Sequence, residues 1–225
     1  MKRINARAWV GLACLALAMA LAIFVPAGTL NFPAGWGYLA VFFGPSILIT
    51  GYLMRHDLAL LARRVRGGPS AEKQPVQKFI MSLASAGFVA MLVVPGLDYR
   101  FGWSVVPFGA VLAGDVLTVI SFVLIFFVYR ENTYTSATIE IARGQRVIRT
   151  GPYAVVRHPM YAGGLLLFIG MPLALGSYWA YPFFLAILPV LLWRLFDEER
   201  FLGKNLRGYL KYRATVRWRL VPGVF

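Results

Sequence analysis

The sequence predicts an all-α protein. It should be a polytopic transmembrane helix bundle of about six apolar helices, the last two a short hairpin, followed by a cytoplasmic C-terminal helical segment. Three observations carry that expectation. The 225 residues are 59% apolar and only 14% charged, whereas a soluble domain carries about 25% charged residues. Six apolar stretches recur along the chain. Of the 23 lysines and arginines, 22 fall in alternate segments between those stretches.

The first four stretches, residues 8–25, 35–54, 79–96 and 105–129, suit a hydrocarbon core of about 30 Å, which takes roughly 20 helical residues to cross. The last two, 162–176 and 181–196, are shorter and contain Pro172 and Pro189. They read as a tilted or re-entrant hairpin turning at Gly176-Ser177-Tyr178. Basic residues stand before the first stretch (Lys2, Arg3, Arg7), after the second (Arg55 to Lys78), after the fourth (Arg130 to Arg157) and throughout the tail. Arg100 alone stands on the other side. Lysine and arginine flanking membrane helices are retained on the cytoplasmic side, so both termini should be cytoplasmic, as in a bacterial inner-membrane protein. The net charge of +14 then reflects topology and anionic headgroups. It calls for a lipid bilayer as partner and for no nucleic acid. An alternative for the start is a cleaved leader ending near Ala18-Met19-Ala20, against which the apolar run continues to Val25.

Between the stretches, residues 55–78 read as a basic helix followed by a turn at Gly67-Gly68-Pro69. No Gly-Lys-Ser/Thr follows, which argues against a phosphate loop. Residues 130–157 lead into the hairpin, and the tail after it is polar. The chain therefore divides into N-terminal transmembrane helices (1–130) and a C-terminal region (131–225) that gathers the polar chemistry on one membrane face. The single cysteine, Cys14, cannot form an internal disulfide. His56 and His158 lie far apart with no cysteine at ligand spacing, so no metal is expected.

The most informative run is Gly151-Pro152-Tyr153-Ala154-Val155-Val156-Arg157-His158-Pro159-Met160-Tyr161. A residue before proline avoids the helical region, and proline suits the first helical position. A helix should therefore begin at Pro159 with His158 as its N-cap. Its unpaired N–H groups would offer a seat for a carboxylate or phosphate, with Arg157 and His158 as further donors. Otherwise Arg157 snorkels to headgroups and His158 merely caps. The second constellation is Arg194…Asp197-Glu198-Glu199, which holds three of only nine acidic residues. Arg194 and Glu198 share a helix face. They could form an intrahelical pair, or provide a carboxylate for a hydroxyl-rich or cationic cofactor and a guanidinium for an anionic substrate. Asp115 lies mid-span, where an ionisable group is costly. It reads either as functional or as a protonated or hydrogen-bonded structural residue. His56 and Asp57 read as interfacial, and Tyr209 and Tyr212 as anchors on an amphipathic surface helix.

Taken together, Gln145-Arg146-Val147-Ile148, Gly151-Pro152-Tyr153, Arg157-His158-Pro159-Met160-Tyr161, Arg194…Glu198-Glu199…Leu202 and Tyr209…Tyr212 resemble a known group. It is the isoprenylcysteine carboxyl methyltransferase and phospholipid methyltransferase family of integral membrane enzymes. The resemblance covers about residues 139–225. It implies S-adenosylmethionine as cofactor, in a cytoplasmic pocket closed by the C-terminal segment. Gln145, Arg146, Val147, Ile148, Tyr153, His158, Pro159, Met160, Tyr161 and Glu198 would line that pocket, with Arg157 and Glu199 beside them. Arg194 would face the methyl acceptor, an isoprenylcysteine-like carboxylate or a lipid headgroup on a lipophilic or lipidated substrate, and Arg194 and Glu198 would be the catalytic pair. A carboxylate acceptor needs no general base. An amine would need one, for which Glu198, Glu199 and His158 are the candidates. Membrane sterol reductases share a similar C-terminal organisation, so an NADPH-dependent reductase is the main rival. A non-enzymatic membrane protein is the second. The first four spans carry no matching motif.

Overall fold

The computed structural model describes residues 2–72 and 74–225. These form eight α-helices: α1 (Lys2–Ala27), α2 (Pro33–His56), α3 (Leu58–Val65), α4 (Pro75–Phe101), α5 (Phe108–Glu131), α6 (Pro159–Ala174), α7 (Tyr181–Asn205) and α8 (Tyr209–Thr215). Short 3-10 turns lie at Pro69–Ala71, Gly151–Ala154 and Tyr178–Ala180, and there is no strand among the described residues. Five helices (α1, α2, α4, α5 and the segment containing α7) are long and apolar enough to cross a membrane. Each apolar stretch of the sequence forms the body of one helix, and the outward faces leave large residues such as Leu17, Leu48 and Phe108 exposed. A bilayer covers such surface without the cost that water would impose. The protein is a multi-pass membrane helix bundle.

Small residues let these helices approach closely. In a membrane, packing and interhelical hydrogen bonds replace the hydrophobic drive between helices. Along α5 and α6, a Cβ added to Gly170 would lie 2.8 Å from the Gly114 carbonyl oxygen. The hydroxyl of Ser121 donates to the Gly163 carbonyl at 2.7 Å. Between α4 and α7, the Ile187 side chain occupies the space that a side chain on Gly87 would need.

The hairpin has unequal limbs. At 1.5 Å per residue, the 16 residues of α6 rise about 24 Å, short of a full hydrocarbon crossing. The 25 residues of α7 rise about 37 Å. The apolar stretch ends near Phe196, yet the helix continues through Asp197, Glu198 and Glu199 to Asn205. Gly203 is accommodated within the helix, and the left-handed residue that separates α7 from α8 is Gly208, at φ 86°. The turn joining the limbs falls at Leu175–Ser177, where the sequence suggested it.

At the basic end of the bundle, α3 packs beneath α1 and α2. Asp57 caps α3 by accepting from the Leu60 N–H at 2.8 Å and also accepts from the Thr133 hydroxyl. At the opposite end, Asp98 is 1% exposed and accepts from the Ser104 N–H and hydroxyl, both at 2.6 Å. It also accepts from the Ser177 hydroxyl, so it binds the end of α4, the loop after it and the hairpin tip together. Asp115 differs from the hydrogen-bonded structural aspartate that the sequence allowed. Its Oδ1 is buried without a protein hydrogen bond, as is the Tyr38 hydroxyl.

Candidate functional site

The corner before α6 forms as its sequence requires. His158 is the N-cap at φ −125°, ψ 62°, and Pro159 opens the helix. The imidazole makes no capping bond and turns instead toward α7, where its Nε2 lies 3.2 Å from Glu199 Oε1. Arg157 Nε lies 2.9 Å from the same oxygen, an ion contact rather than an aligned hydrogen bond. Arg219 Nε donates to Glu199 Oε2 at 3.1 Å. The backbone joins in: the Arg157 and His158 N–H groups donate to the Trp218 and Arg219 carbonyls, each at 2.9 Å. Arg219 also lies over the rings of Phe196 and Phe225, at 5.3 and 5.1 Å. Glu199, 4% exposed, is thus a buried hub that fastens the corner to α7 and to the tail. A carboxylate so placed holds three segments in register, and removing it would leave buried cations without compensation.

In front of this hub is a cavity of about 740 Å³, within the roughly 300–1,000 Å³ range of pockets that bury a small ligand. Twelve of the thirteen residues singled out from the sequence line it: Gln145, Arg146, Val147, Ile148, Tyr153, Arg157, His158, Pro159, Met160, Tyr161, Arg194 and Glu198. Glu199 is not among the lining residues and stands behind the wall. The arginine-histidine-proline corner and the paired glutamates therefore converge, although some forty residues apart. From this polar chamber the cavity continues as an apolar shaft between Ala18 and Ala22 of α1, Met81 to Leu92 of α4, and Phe168 of α6. The α4 wall runs from Met81 to Leu92, a rise of about 16 Å.

Neighbouring side chains set the chamber's polarity. The Tyr161 hydroxyl donates to Glu198 Oε2 at 2.7 Å. Arg194 does not pair with Glu198, as helix spacing alone would allow. Its Nη1 donates to Gln77 at 2.8 Å, and its Nη2 to Glu72 at 2.6 Å and to the Ala137 carbonyl at 3.0 Å. Gln77 in turn donates to Asp197 at 2.5 Å. Asn132 donates to the Tyr153 hydroxyl at 2.9 Å, and the Tyr212 hydroxyl donates to the Tyr153 carbonyl at 2.7 Å.

Tyr209 and Tyr212 are nearly inaccessible and both line the cavity; they are not merely surface anchors. Burial pushes both phenols above their ordinary range, and at Tyr209 the Glu199 and Glu198 carboxylates add to it. Burial likewise raises Tyr153. These phenols therefore remain protonated donors throughout the neutral range. The Tyr209 hydroxyl is buried with no protein partner.

Sequence reasoning missed Glu72, Gln77, Asn132 and Arg219. The one available signal was Glu72, an acidic residue in an otherwise basic connection. Gln77 carried none.

Residues 110–207 match the model of a family described as phospholipid methyltransferase. The match runs from the start of α5 to just past the end of α7. It contains both halves of the polar chamber's motif set and agrees with the family that those motifs resemble. It supports a membrane methyltransferase in general.

Proposed function

Taking that family match as premise, we propose that this protein transfers a methyl group from S-adenosylmethionine to an acceptor entering from the bilayer. The acceptor is an isoprenylcysteine-like carboxylate or a lipid headgroup. One observation carries the reading: a single cavity is polar at the basic end and apolar along a shaft between membrane helices. Such a space suits one reactant from water and one from lipid. By the positive-inside rule the basic end faces the cytoplasm.

The residues present fit the cofactor's chemistry. Its carboxylate matches the first-turn N–H groups of α6, and Arg146 lines the same cavity. Its ribose diol matches Glu198, whose Oε1 has no protein hydrogen bond among the described residues, and the orphaned Tyr209 hydroxyl. Its purine and cationic centre suit the rings of Tyr153 and Tyr161. When bound, the cofactor supplies a methyl group already activated on a sulfonium. The chain's own task is then to align the reactants and exclude water. Tyr161 fixes the Glu198 carboxylate, and the Glu199 hub fixes the corner that carries His158. For an amine acceptor, Glu198 is placed to take up the proton at its free oxygen; a carboxylate acceptor needs no such step.

Calorimetry on detergent-purified protein tests the reading. S-adenosylhomocysteine should bind with micromolar affinity and NADPH should give no heat. Silence with the former and binding of the latter would overturn it in favour of a reductase.

A further inference from the structure

Arg194 is the cavity-lining guanidinium of α7 and the natural candidate to receive an anionic head. It is 7% exposed, and its charge is already met by Glu72, itself 4% exposed, at 2.6 Å. Gln77 and the Ala137 carbonyl occupy further donors. Arginine remains charged under all ordinary conditions, so this wall presents a neutral Arg194–Glu72 pair. One turn along, Glu198 also lines the cavity and adds a carboxylate. Counting those three side chains, the wall of α7 carries one net negative charge. Among the other cations lining the cavity, Arg157 is met by Glu199 at 2.9 Å, and Arg146 is exposed. Arg64 donates to the Ser136 carbonyl at 3.2 Å and sits over Tyr129 at 5.3 Å. Glu140 accepts from the Ser136 hydroxyl at 3.1 Å.

We propose that Glu72 is a specificity-determining residue of the acceptor chamber. By cancelling the charge of Arg194, it makes the chamber select a cationic or neutral amine head on an apolar chain and reject a carboxylate head. This inference rests on the proposed methyltransferase reading and narrows the acceptor that the reading leaves open. Glu72 acts through Arg194 and is not among the residues lining the cavity. Its influence is electrostatic, since a buried cation that loses its counter-charge becomes a strong site for another anion.

The test uses two probes with the same chain, dodecylamine and dodecanoic acid, titrated into purified protein against a detergent blank. Wild-type protein should bind the amine about tenfold or more tightly than the acid, the scale of one well-placed charge interaction. In Glu72→Gln, which keeps an acceptor oxygen for Arg194 but removes the charge, the preference should shift by about tenfold or more toward the acid. Adding Arg194→Gln to that variant should abolish the gain. Wild-type preference for the acid overturns the inference without recourse to any variant. An unchanged ratio in a folded Glu72→Gln protein does so as well. Folding is read from a cooperative unfolding transition, at a midpoint lowered by the loss of the buried counter-charge, and from S-adenosylhomocysteine affinity within about twofold of wild type. Should wild-type protein fail to bind S-adenosylhomocysteine, the methyltransferase reading falls, and the head-group ratio still reports separately on Glu72.

Discussion

The two ends of the bundle treat their inward-facing carboxylates in opposite ways. At the end away from the basic face, Asp98 takes three donors from Ser104 and Ser177, and it reads as a staple. At the basic end, Glu198 has one oxygen on Tyr161 and borders a cavity whose lining also includes Tyr209, whose buried hydroxyl has no protein partner. Closed hydrogen-bond sets fasten; open ones are available to a ligand. The same contrast separates adjacent residues of α7. Glu199 is enclosed by Arg157, His158 and Arg219, while its neighbour Glu198 faces the chamber. Charge alone would not tell them apart; Glu199 is buried and Glu198 half-buried, and their partners differ.

Glu199→Ala should give the largest effect. It strands buried cations, and a loss of about 3–5 kcal/mol in unfolding free energy is expected. Denaturant titration in mild detergent would show it; a change below about 1 kcal/mol would mean that the hub is not a fastening. Glu198→Ala should leave the unfolding midpoint nearly unchanged and weaken S-adenosylhomocysteine about 10- to 100-fold by calorimetry, the value of a hydrogen bond to a charged group. Unaltered affinity would remove Glu198 from the cofactor site. Asp98→Asn should reverse that pattern, costing about 1–2 kcal/mol of stability with no change in ligand affinity. Tyr209→Phe removes a hydroxyl that has no protein partner. Stability should hold or rise slightly, while affinity falls about three- to tenfold. Asp115→Asn, far from the chamber, should leave S-adenosylhomocysteine binding intact.

Much of this molecule could be read from its residues. Six apolar stretches became six helices, five of them long and apolar enough to cross a bilayer, because length and hydropathy determine what can do so. His158 and Pro159 set the start of α6 through local sterics alone. The convergence of that corner with Glu198 followed from a motif set joined by a short hairpin. What could not be read depended on long-range packing. Arg194 meets Gln77 and Glu72 from 117 and 122 residues away, and no local spacing encodes that encounter. Hydropathy also ended α7 early, since it records where lipid stops and not where the backbone ladder stops. The difference between Glu198 and Glu199 was hidden for the same reason: it depends on Arg219, supplied by the tail.

The modest length of α6 has a consequence for how two immiscible worlds are brought together. A helix that falls several ångströms short of its neighbours leaves the bundle dented at one end. The corner preceding it lies at that dent and brings its polar groups to a cavity that continues between the long apolar helices. On the proposed reading, a solute arriving from the aqueous phase and a greasy molecule sliding in sideways would touch there, each still at home in its own medium.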